Sequence, residues 1–343
     1  MAYSSIVKPS DYFNTKLYTG NGSSQSFTGV GYQPDFTWIK RRGSAEGHSL
    51  FDAVRGVQKR LVSNDNGGEA VVSNSLTAFG SDGFTLGGSD TVNGSDNYAS
   101  WNWKANGAGS ANTDGSINST VSVNTTAGFS IVSWTANGSN ATIGHGLGSV
   151  PKMIFLKCRT QADKWIVYNS TVGNTKYLVL NSTDAPTTSS THWNNTSPTS
   201  SVFSTGTSGN VSGTGETFIA YCFAEKTGYS KIGSYTGNGN ADGTFVYTGF
   251  KPAFVMLKKY NTSADSWVIL DNKRDTNNVV SGRLFPDLAN SESTSTDMVD
   301  FLSNGFKLRT SGSAYNGSGV GYIYMAFAEN PFVTSTGIMG TAR

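Results

Sequence analysis

The stretch that decides the fold is Pro252–Lys258, which reads Pro-Ala-Phe-Val-Met-Leu-Lys. The chain repeats it at Pro151–Lys157 as Pro-Lys-Met-Ile-Phe-Leu-Lys and, with more polar residues, at Pro34–Lys40 as Pro-Asp-Phe-Thr-Trp-Ile-Lys. A short apolar run of this kind predicts a strand that is covered on both faces. The opening proline fits the first position of such a strand, where its missing N–H breaks no ladder hydrogen bond.

A second repeated motif stands upstream of each proline. It occurs at Tyr18–Gly22 as Tyr-Thr-Gly-Asn-Gly, at Trp134–Gly138 as Trp-Thr-Ala-Asn-Gly, and at Tyr235–Gly239 as Tyr-Thr-Gly-Asn-Gly. The three prolines are 117 and 101 residues apart. That spacing exceeds the roughly 20–50 residues of a solenoid unit and matches the length of a small domain. The sequence therefore predicts three domain-sized repeats.

The composition predicts an all-β protein. Charged residues make up 14% of the chain and aromatic residues 12%, with 41 glycines in 343 residues. Disorder requires few aromatic residues and a high net charge, and this chain has neither. Runs with a period of two, such as Gly243–Tyr247, recur, and helical periodicity is nearly absent. We predict three tandem antiparallel β-sandwich repeats of about 100 residues, jelly-roll-like, with about seven to ten short strands each.

The predicted organisation follows the repeats. Its segments are an N-terminal leader 1–12, expected to act as a docking segment, repeat 1 at 13–105, a Gly/Ser/Asn linker 106–120, repeat 2 at 121–226, repeat 3 at 227–330 and a C-terminal tail 331–343. The composition of the linker predicts flexibility. Repeats 2 and 3 follow one another without a gap. Repeat 1 is therefore expected to move relative to a stiffer pair.

Charge and hydropathy exclude several classes of partner. The net charge is +2 and the basic residues form no stripe, so we expect no nucleic acid. No apolar stretch approaches the roughly 20 residues that span a bilayer, so we expect no membrane insertion. Met1–Pro9 lacks the apolar core of a secretory signal. We expect a chain that matures in the cytosol, where Cys158 and Cys222 are favoured as buried free thiols.

The sequence offers little catalytic machinery. His48 aligns with Trp165 and Trp267 and is predicted to fill the same packing position. Glu225 and Glu329 recur at strand ends, but without the facing acidic partner that a glycosidase needs. We therefore predict no catalytic residues. The chain has three histidines: His48, His145 and His192.

Two loops contain oxygen ligands that a metal ion would accept. They are Asp65–Glu69 and Asp90–Asp96. Neither matches the spacing of a calcium-binding loop. We predict no metal site and no cofactor, with a structural calcium ion in one of these loops as the alternative.

Two long polar loops carry aromatic residues. One spans 187–201 and contains His192 and Trp193, and the other spans 311–321 and contains Tyr315 and Asn316. An aromatic face beside amides and hydroxyls is typical of a sugar-binding surface. We predict these four residues as ligand-binding. The alternative, that Trp193 folds back onto its own domain, stays open because an indole is rarely left exposed.

The repeated motifs resemble a family of β-rich domains in tailed bacteriophages, especially marine ones. The likeness covers about residues 8–332 and implies a component of a phage tail, fibre or other virion appendage. It defines no catalytic residues that could be carried over. The stretches that carry it are Lys8–Phe13, Tyr18–Gly22, Gly31–Phe36, Leu50–Gly56, Gly83–Gly88, Thr126–Ser130, His145–Gly148, Lys176–Leu178, Tyr247–Phe254 and Leu270–Arg274.

The resemblance leads to an expected function. We expect a structural virion protein of tail-fibre or appendage type that presents loops to a host-surface glycan or outer-membrane protein. It would assemble in the host cytoplasm with other virion proteins, leave by lysis, and form a homo-oligomer, with a trimer favoured by analogy. A capsid decoration or purely structural virion protein without host contact is one alternative. A polysaccharide depolymerase is a second alternative. A secreted bacterial adhesin, which would need a secretory signal, is the third.

Overall fold

The computed structural model describes residues 4–262 and 265–333. The described chain is built from antiparallel β-sheets, so the predicted all-β class is confirmed. Helical structure is confined to short turns, in keeping with the missing helical periodicity. These are a 3-10 turn at Pro9–Asp11, α1 at Asp90–Asn93, α2 at Ser190–Trp193 and α3 at Gly209–Ser212.

The first third of the chain forms two facing sheets. Strands β1, β9, β3 and β4 make an inner sheet in that order, and β2, β8 and β7 make an outer sheet. A small core with Tyr18, Phe27 and Phe84 lies between them. The strand bounds are β1 Phe13–Thr19, β2 Gln25–Phe27, β3 Phe36–Arg41, β4 Ser49–Asp52, β5 Lys59–Arg60, β6 Ala70–Val71, β7 Leu76–Gly80, β8 Gly83–Leu86 and β9 Asn97–Trp103.

The middle third repeats this arrangement with a wider inner sheet. Its order β12-β19-β14-β15 matches that of the first third, and it is extended by β11 and β10 at one edge and by β16 and β17 at the other. The outer sheet is the pair β13-β18. The strand bounds are β10 Ser110–Asn112, β11 Ser119–Asn124, β12 Phe129–Thr135, β13 Ala141–Gly144, β14 Met153–Cys158, β15 Ile166–Asn169, β16 Lys176–Val179, β17 Thr187–Thr188, β18 Val202–Thr205 and β19 Thr217–Phe223.

The last third shows the same two-sheet arrangement. Its inner sheet has the order β20-β26-β22-β23, and its outer sheet has the order β21-β25-β24. The strand bounds are β20 Ser230–Thr236, β21 Phe245–Tyr247, β22 Phe250–Lys259, β23 Val268–Asp271, β24 Val299–Leu302, β25 Gly305–Leu308 and β26 Gly321–Pro331.

The repeated Asn-Gly pair closes the turn after β1, β12 and β20, one strand in each third. The side-chain oxygens of Asn21, Asn137 and Asn238 each accept the backbone N–H two residues later, at 2.9, 3.0 and 3.0 Å. The glycine after each asparagine has φ of +70°, +77° and +67° respectively, a left-handed conformation that glycine adopts without strain. The motif is thus repeated because the same tight turn is built three times.

The apolar run after each proline has two buried faces, as its sequence predicts. In β22, Val255 and Leu257 point into the core of their own sandwich, whereas Phe254 and Met256 point into a second core. Alternate residues of a strand lie on opposite faces, so one run serves both cores. The second core also receives the inner faces of β3 and β14, which belong to the other two thirds.

This shared core joins all three sandwiches. Trp103 contacts Phe13 of its own repeat at 5.0 Å between ring centroids, Phe129 of repeat 2 at 6.4 Å and Phe254 of repeat 3 at 5.9 Å. The rings of Phe36 and Tyr221 stack across repeats at 4.1 Å. The three inner sheets therefore back onto one another, and the described chain forms a ring of three sandwiches around one aromatic core.

The shared core changes the picture of a mobile first repeat. The segment predicted as a flexible linker contains β10, which pairs with β11, and the Asp35 carboxylate accepts the N–H groups of Ala105 and Gly107. Repeat 1 is thus packed against the other two, contrary to the expectation that it swivels. The reason is that the second apolar face of each inner sheet needs a cover, and the other repeats provide it.

The N-terminal leader contributes to the shared core. Ile6, in the leader, is 2% exposed and belongs to the shared core. The described part of the leader therefore packs onto the ring. Residues 1–3 of the leader and 334–343 of the tail lie outside the described residues.

Candidate functional site

Each pair of repeats meets at a junction that contains a buried lysine, the last residue of the repeated apolar run. Lys40 of repeat 1 donates to Ala289 O of repeat 3 at 3.1 Å, Lys157 of repeat 2 to Asn66 O of repeat 1 at 2.8 Å, and Lys258 of repeat 3 to Thr183 O of repeat 2 at 3.0 Å. Burial lowers the pKa of each ammonium to about 8. Repeat 1 thus donates a hydrogen bond to repeat 3, repeat 3 to repeat 2, and repeat 2 to repeat 1. These three bonds close the ring. We name the junctions 1–3, 2–1 and 3–2, with the donating repeat first.

A second hydrogen bond crosses each junction from the position that the sequence aligned. Trp165 Nε1 donates to Val62 O at 2.8 Å, and Trp267 Nε1 donates to Val179 O at 2.9 Å. His48 lies 2.9 Å from Phe285 O through Nε2, and its Nδ1 accepts the Trp38 indole N–H. That acceptor role places the proton of the ring on Nε2. His48 therefore does the work of an indole N–H, and burial holds its pKa well below the usual value.

Junction 2–1 also contains a buried charged cluster. The Arg55 guanidinium pairs with Asp52, both side chains being fully buried, and Tyr221 of repeat 2 donates its hydroxyl to Asp52 at 2.7 Å. Glu69 then bridges Arg55 and Arg159 of repeat 2, with Arg159 donating two hydrogen bonds at 2.9 and 3.0 Å. Burial alone would raise the pKa of Glu69, but the two arginines hold it below its usual value.

Junction 1–3 contains the same cluster at equivalent positions. Arg274 pairs with Asp271 at 2.5 Å, and Trp101 of repeat 1 donates its indole N–H to Asp271 at 3.0 Å. Glu292 bridges Arg274 at 2.6 Å and Arg42 of repeat 1 at 2.8 Å. Two of the three junctions are therefore locked by an arginine, a glutamate and a second arginine from the neighbouring repeat.

Junction 3–2 lacks this cluster because its residues are different. Asn169 stands opposite the first residue of β14, where the other repeats have the aspartate opposite the same position. Val172 replaces the arginine three residues later, and Pro186, three residues after the carbonyl that accepts the lysine, replaces the glutamate. Tyr260 takes the place of the second arginine, and Met325 takes the place of the Tyr or Trp donor. All four charged positions of the cluster are therefore occupied by uncharged residues at junction 3–2.

A cleft of about 320 Å³ lies at this altered junction. Val172, Pro186 and Tyr260 line it, together with the polar residues Lys176 and Asn261. Lys176 is exposed, and no carboxylate in the described part of the chain lies within ion-pair distance of its ammonium. This cleft, which we call the junction cleft, is the candidate functional site.

A second cleft of about 370 Å³ lies in repeat 3, lined by Ser4 and Phe332. Tyr247, which is 54% exposed, forms part of its wall, and Phe245, 44% exposed, lies on the same strand. The cation on its rim, Lys231, is paired with Glu225 at 3.6 Å. We call it the terminal cleft, and it differs from the junction cleft in having this charge already balanced.

Comparison with known protein families shows to which family the chain belongs. A family model matches residues 8–331. The chain belongs to this family, described as a domain of unknown function, DUF7483. The matched region of DUF7483 spans all three sandwiches. No curated protein and no solved structure matches the chain.

The predicted ligand residues of the 187–201 loop are buried. Ser189 caps α2 by accepting the Thr191 N–H, which turns His192 inward to stack on Tyr177 with 3.8 Å between ring centroids. Burial lowers the pKa of His192 to about 4. Trp193 is 1% exposed. The open alternative, that Trp193 folds back onto its own domain, is what the structure shows.

The predicted ligand residues of the 311–321 loop are also buried. Tyr315 is 6% exposed, and Asn316 is fully buried. The Asn316 amide donates to Asn240 O and Thr310 O, both at 2.8 Å, and its oxygen accepts the Asn238 N–H. It braces the Gly-Asn-Gly turn. Because all four predicted residues are buried, none offers an exposed aromatic face, and the expected surface presentation is corrected.

The remaining candidate groups have structural partners. Glu329 pairs with Lys251 at 3.1 Å, and His145 Nε2 lies 3.2 Å from Thr199 O. Cys158 and Cys222 are free and buried, as favoured from the sequence. Residues 4–262 and 265–333 contain no group of three His, Cys, Asp or Glu arranged to hold a metal ion. Among the described residues, no helix is long and apolar enough to cross a membrane.

The residues of the junction cleft were missed by sequence reasoning. Lys176 begins strand β16 and Tyr260 directly follows strand β22, and neither belongs to the two loops from which ligand-binding residues were predicted. A signal does exist in the alignment of the three repeats, where Arg42 and Arg159 correspond to Tyr260. This substitution indicates an altered junction only when the glutamate partners of Arg42 and Arg159 across the junctions are known.

Proposed function

We propose that this chain is a structural virion protein of a tailed phage, of tail-fibre or appendage type, that contacts a host-surface glycan. The observation that carries the proposal is a ring of three sandwiches, closed by hydrogen bonds at every junction, in which junction 3–2 has a surface cleft in place of a charged cluster. Its proposed place is the virion, with other virion proteins and further copies of the chain as partners. A homotrimer is proposed by analogy with the phage family alone.

The closed ring supports a scaffold role through its packing. Trp103 contacts rings from all three repeats, and a lysine and an indole or imidazole cross each junction. Moving one repeat would expose the aromatic side chains of the shared core to water, at a cost of about 25 cal/mol for each Å² of apolar surface. It would also leave buried polar groups without hydrogen-bond partners. Such a body keeps its surface clefts in a fixed geometry, as an appendage that presents binding sites requires.

The phage assignment is supported by sequence resemblance. The stretches Leu50–Gly56 and Leu270–Arg274, which carry that resemblance, contain the aspartate and arginine of the two charged junctions. The resemblance is therefore carried in part by residues that close the ring.

A second candidate is a structural or decorative virion protein without host contact. The burial of His192, Trp193, Tyr315 and Asn316 favours it, because those side chains were the expected contact surface. Host contact then depends on the two clefts. The two candidates differ in whether the isolated protein binds host cells.

The test is a binding assay with labelled protein and host cells, with and without periodate oxidation of surface sugars. Saturable binding that is lost after periodate supports a glycan-contacting appendage. Saturable binding that survives periodate supports host contact but overturns the glycan. Absence of binding to every permissive host supports the purely structural role. Antibody labelling of intact particles in the electron microscope tests the virion location, and an unlabelled particle would overturn it.

A further inference from the structure

We propose that the junction cleft binds an acidic pyranose, a six-membered sugar ring that carries a carboxylate. The proposal deepens the proposed function by naming the class of glycan and its site, and it rests on that function for the source of the sugar. Binding itself depends on the cleft alone.

The size of the junction cleft fits one or two sugar rings. Its volume of about 320 Å³ lies near the lower end of ligand-binding pockets, which range over roughly 300–1,000 Å³. The cleft is also open at the surface, so a longer chain could continue outside it. This geometry favours the end or one residue of a polysaccharide.

The wall of the cleft offers an apolar surface. Tyr260 and Val172 are half-buried and pack against the shared core, which fixes their positions. Pro186 lies beside them on the same cleft. A pyranose has a C–H face that packs on such a surface, and an aromatic ring gives a large contact area at little cost in side-chain freedom.

The rim of the cleft supplies the polar contacts. Asn261 offers an amide and Thr171 a hydroxyl, which match the hydroxyl groups of a sugar. Lys176 adds a positive charge that no carboxylate of the described chain balances. A hydrogen bond between an ammonium and a carboxylate is stronger than one between neutral groups, so the cleft favours an anionic ligand over a neutral one.

The other junctions explain why a carboxylate is missing here. Glu69 and Glu292 fill the equivalent space at junctions 2–1 and 1–3 with a carboxylate of the protein itself. At junction 3–2 that position is Pro186, which has neither a carboxylate nor an N–H. The ligand would supply a carboxylate at the one junction whose position equivalent to Glu69 and Glu292 holds none.

The first experiment is a titration of the purified chain with a galacturonate disaccharide and, as the neutral match, a galactose disaccharide. Binding is followed by heat and by NMR shifts of assigned amides at low ionic strength. We expect saturable binding of the acidic sugar, at least about fivefold tighter than that of the neutral one, with shifts at Lys176, Tyr260 and Asn261. Equal affinity for both sugars, shifts confined to the terminal cleft, or no binding of the acidic sugar would overturn the proposal.

Two variants with matched controls locate the site. Lys176→Gln alters an exposed side chain, so its fold should be intact, and we expect it to abolish the preference for the acidic sugar. Tyr260→Ala should weaken binding at least about fivefold, whereas Tyr247→Ala in the terminal cleft should leave it unchanged. Retained preference in Lys176→Gln, or loss in Tyr247→Ala alone, would contradict the assignment. If Tyr260→Ala unfolds, Tyr260→Arg, which restores the residue type of the other junctions, tests the same contact.

These outcomes are separable from those of the proposed function. Cells that bind both wild type and Lys176→Gln would sustain host contact while removing the junction cleft from it. Acidic-sugar binding at the cleft without any binding to cells would sustain the site while removing the host glycan as its source.

Discussion

Junctions 2–1 and 3–2 are built from equivalent residues of one repeated fold, yet they differ in what fills them. At junction 2–1, Arg55 and Glu69 form a buried ionic cluster with Arg159. At junction 3–2, Val172 and Tyr260 stand at the corresponding places and line a cleft. The lysine and tryptophan bonds to the neighbouring repeat are present at both. The comparison separates the contacts that close the ring from those that fill its junctions.

This difference teaches that closure does not require the charged clusters. A buried ion pair gains Coulomb energy but loses the hydration of both ions, so its replacement by apolar residues is often neutral for stability. Junction 3–2 is such a replacement, with a neutral Asn169 and an apolar Val172 where the others have Asp and Arg. Because no charged cluster fills junction 3–2, the residues that line its cleft are available to contact a ligand.

The largest expected effect comes from breaking one charged cluster. Arg55→Met leaves Asp52 buried without its guanidinium, and we expect a loss of about 3–5 kcal/mol in the free energy of unfolding. The matched change at the open junction, Val172→Met, alters a half-buried apolar side chain and should cost less than about 1.5 kcal/mol. Urea unfolding measures both. Equal losses in the two variants would break the comparison.

A smaller effect is expected from removing the tryptophan hydrogen bond that junctions 2–1 and 3–2 both contain. Trp165→Phe and Trp267→Phe each remove an indole N–H from a buried carbonyl, of Val62 and Val179 respectively. Leaving a buried acceptor unpaired costs about 1–3 kcal/mol. Thermal unfolding should show similar losses for the two. A cost at Trp165 alone would mean that junction 3–2 is held by other contacts.

The buried lysines make stability depend on pH. The folded pKa of Lys258, about 8, lies below its usual value, so the unfolded chain binds more protons above pH 8. Wild type should therefore gain stability relative to Lys258→Met as the pH rises from 8 to 10, by up to about 1.4 kcal/mol per pH unit. Other titrating groups are common to both proteins and cancel in this difference. Parallel unfolding curves across pH 8–10 would contradict a buried ammonium at this junction.

The smallest effect on stability is expected from converting the open junction into the charged kind. The fourfold variant Asn169→Asp, Val172→Arg, Pro186→Glu and Tyr260→Arg introduces the four ionic residues of junctions 2–1 and 1–3 and keeps Met325. Because desolvation and attraction nearly cancel, its free energy of unfolding should stay within about 1–2 kcal/mol of wild type. Binding of the acidic sugar should be lost, since the new side chains occupy the cleft. Retained sugar binding would place the site elsewhere.

Much of the fold was predictable because it depends on local patterns. The apolar run of β22, its opening proline and the turn after Tyr235 each carry a signal within a few residues. The alignment of His48 with Trp165 and Trp267 also survives, since equivalent positions in a repeat meet equivalent surroundings. The all-β class followed from these elements together.

The ring and its open junction were not predictable for a different reason. A strand that is apolar on both faces shows that its second face is covered, but not by which part of the chain. The partners across a junction are distant in sequence, as Arg159 and Glu69 are, so their loss at Tyr260 and Pro186 cannot be recognised from either position alone. The burial of Trp193 likewise depends on a contact between residues distant in sequence, since its ring packs edge-on against Tyr168 with 5.6 Å between ring centroids.

The central claim is that three sandwiches form one closed body. Hydrogen exchange of wild type and Arg55→Met, followed by mass spectrometry under conditions where exchange reports global opening, tests it most directly. A single body predicts that protection falls by the same free energy in peptides from β3, β14 and β22, although Arg55 belongs to repeat 1. Loss confined to peptides of repeats 1 and 2, with β22 unchanged, would show that repeat 3 unfolds alone and would contradict the closed ring.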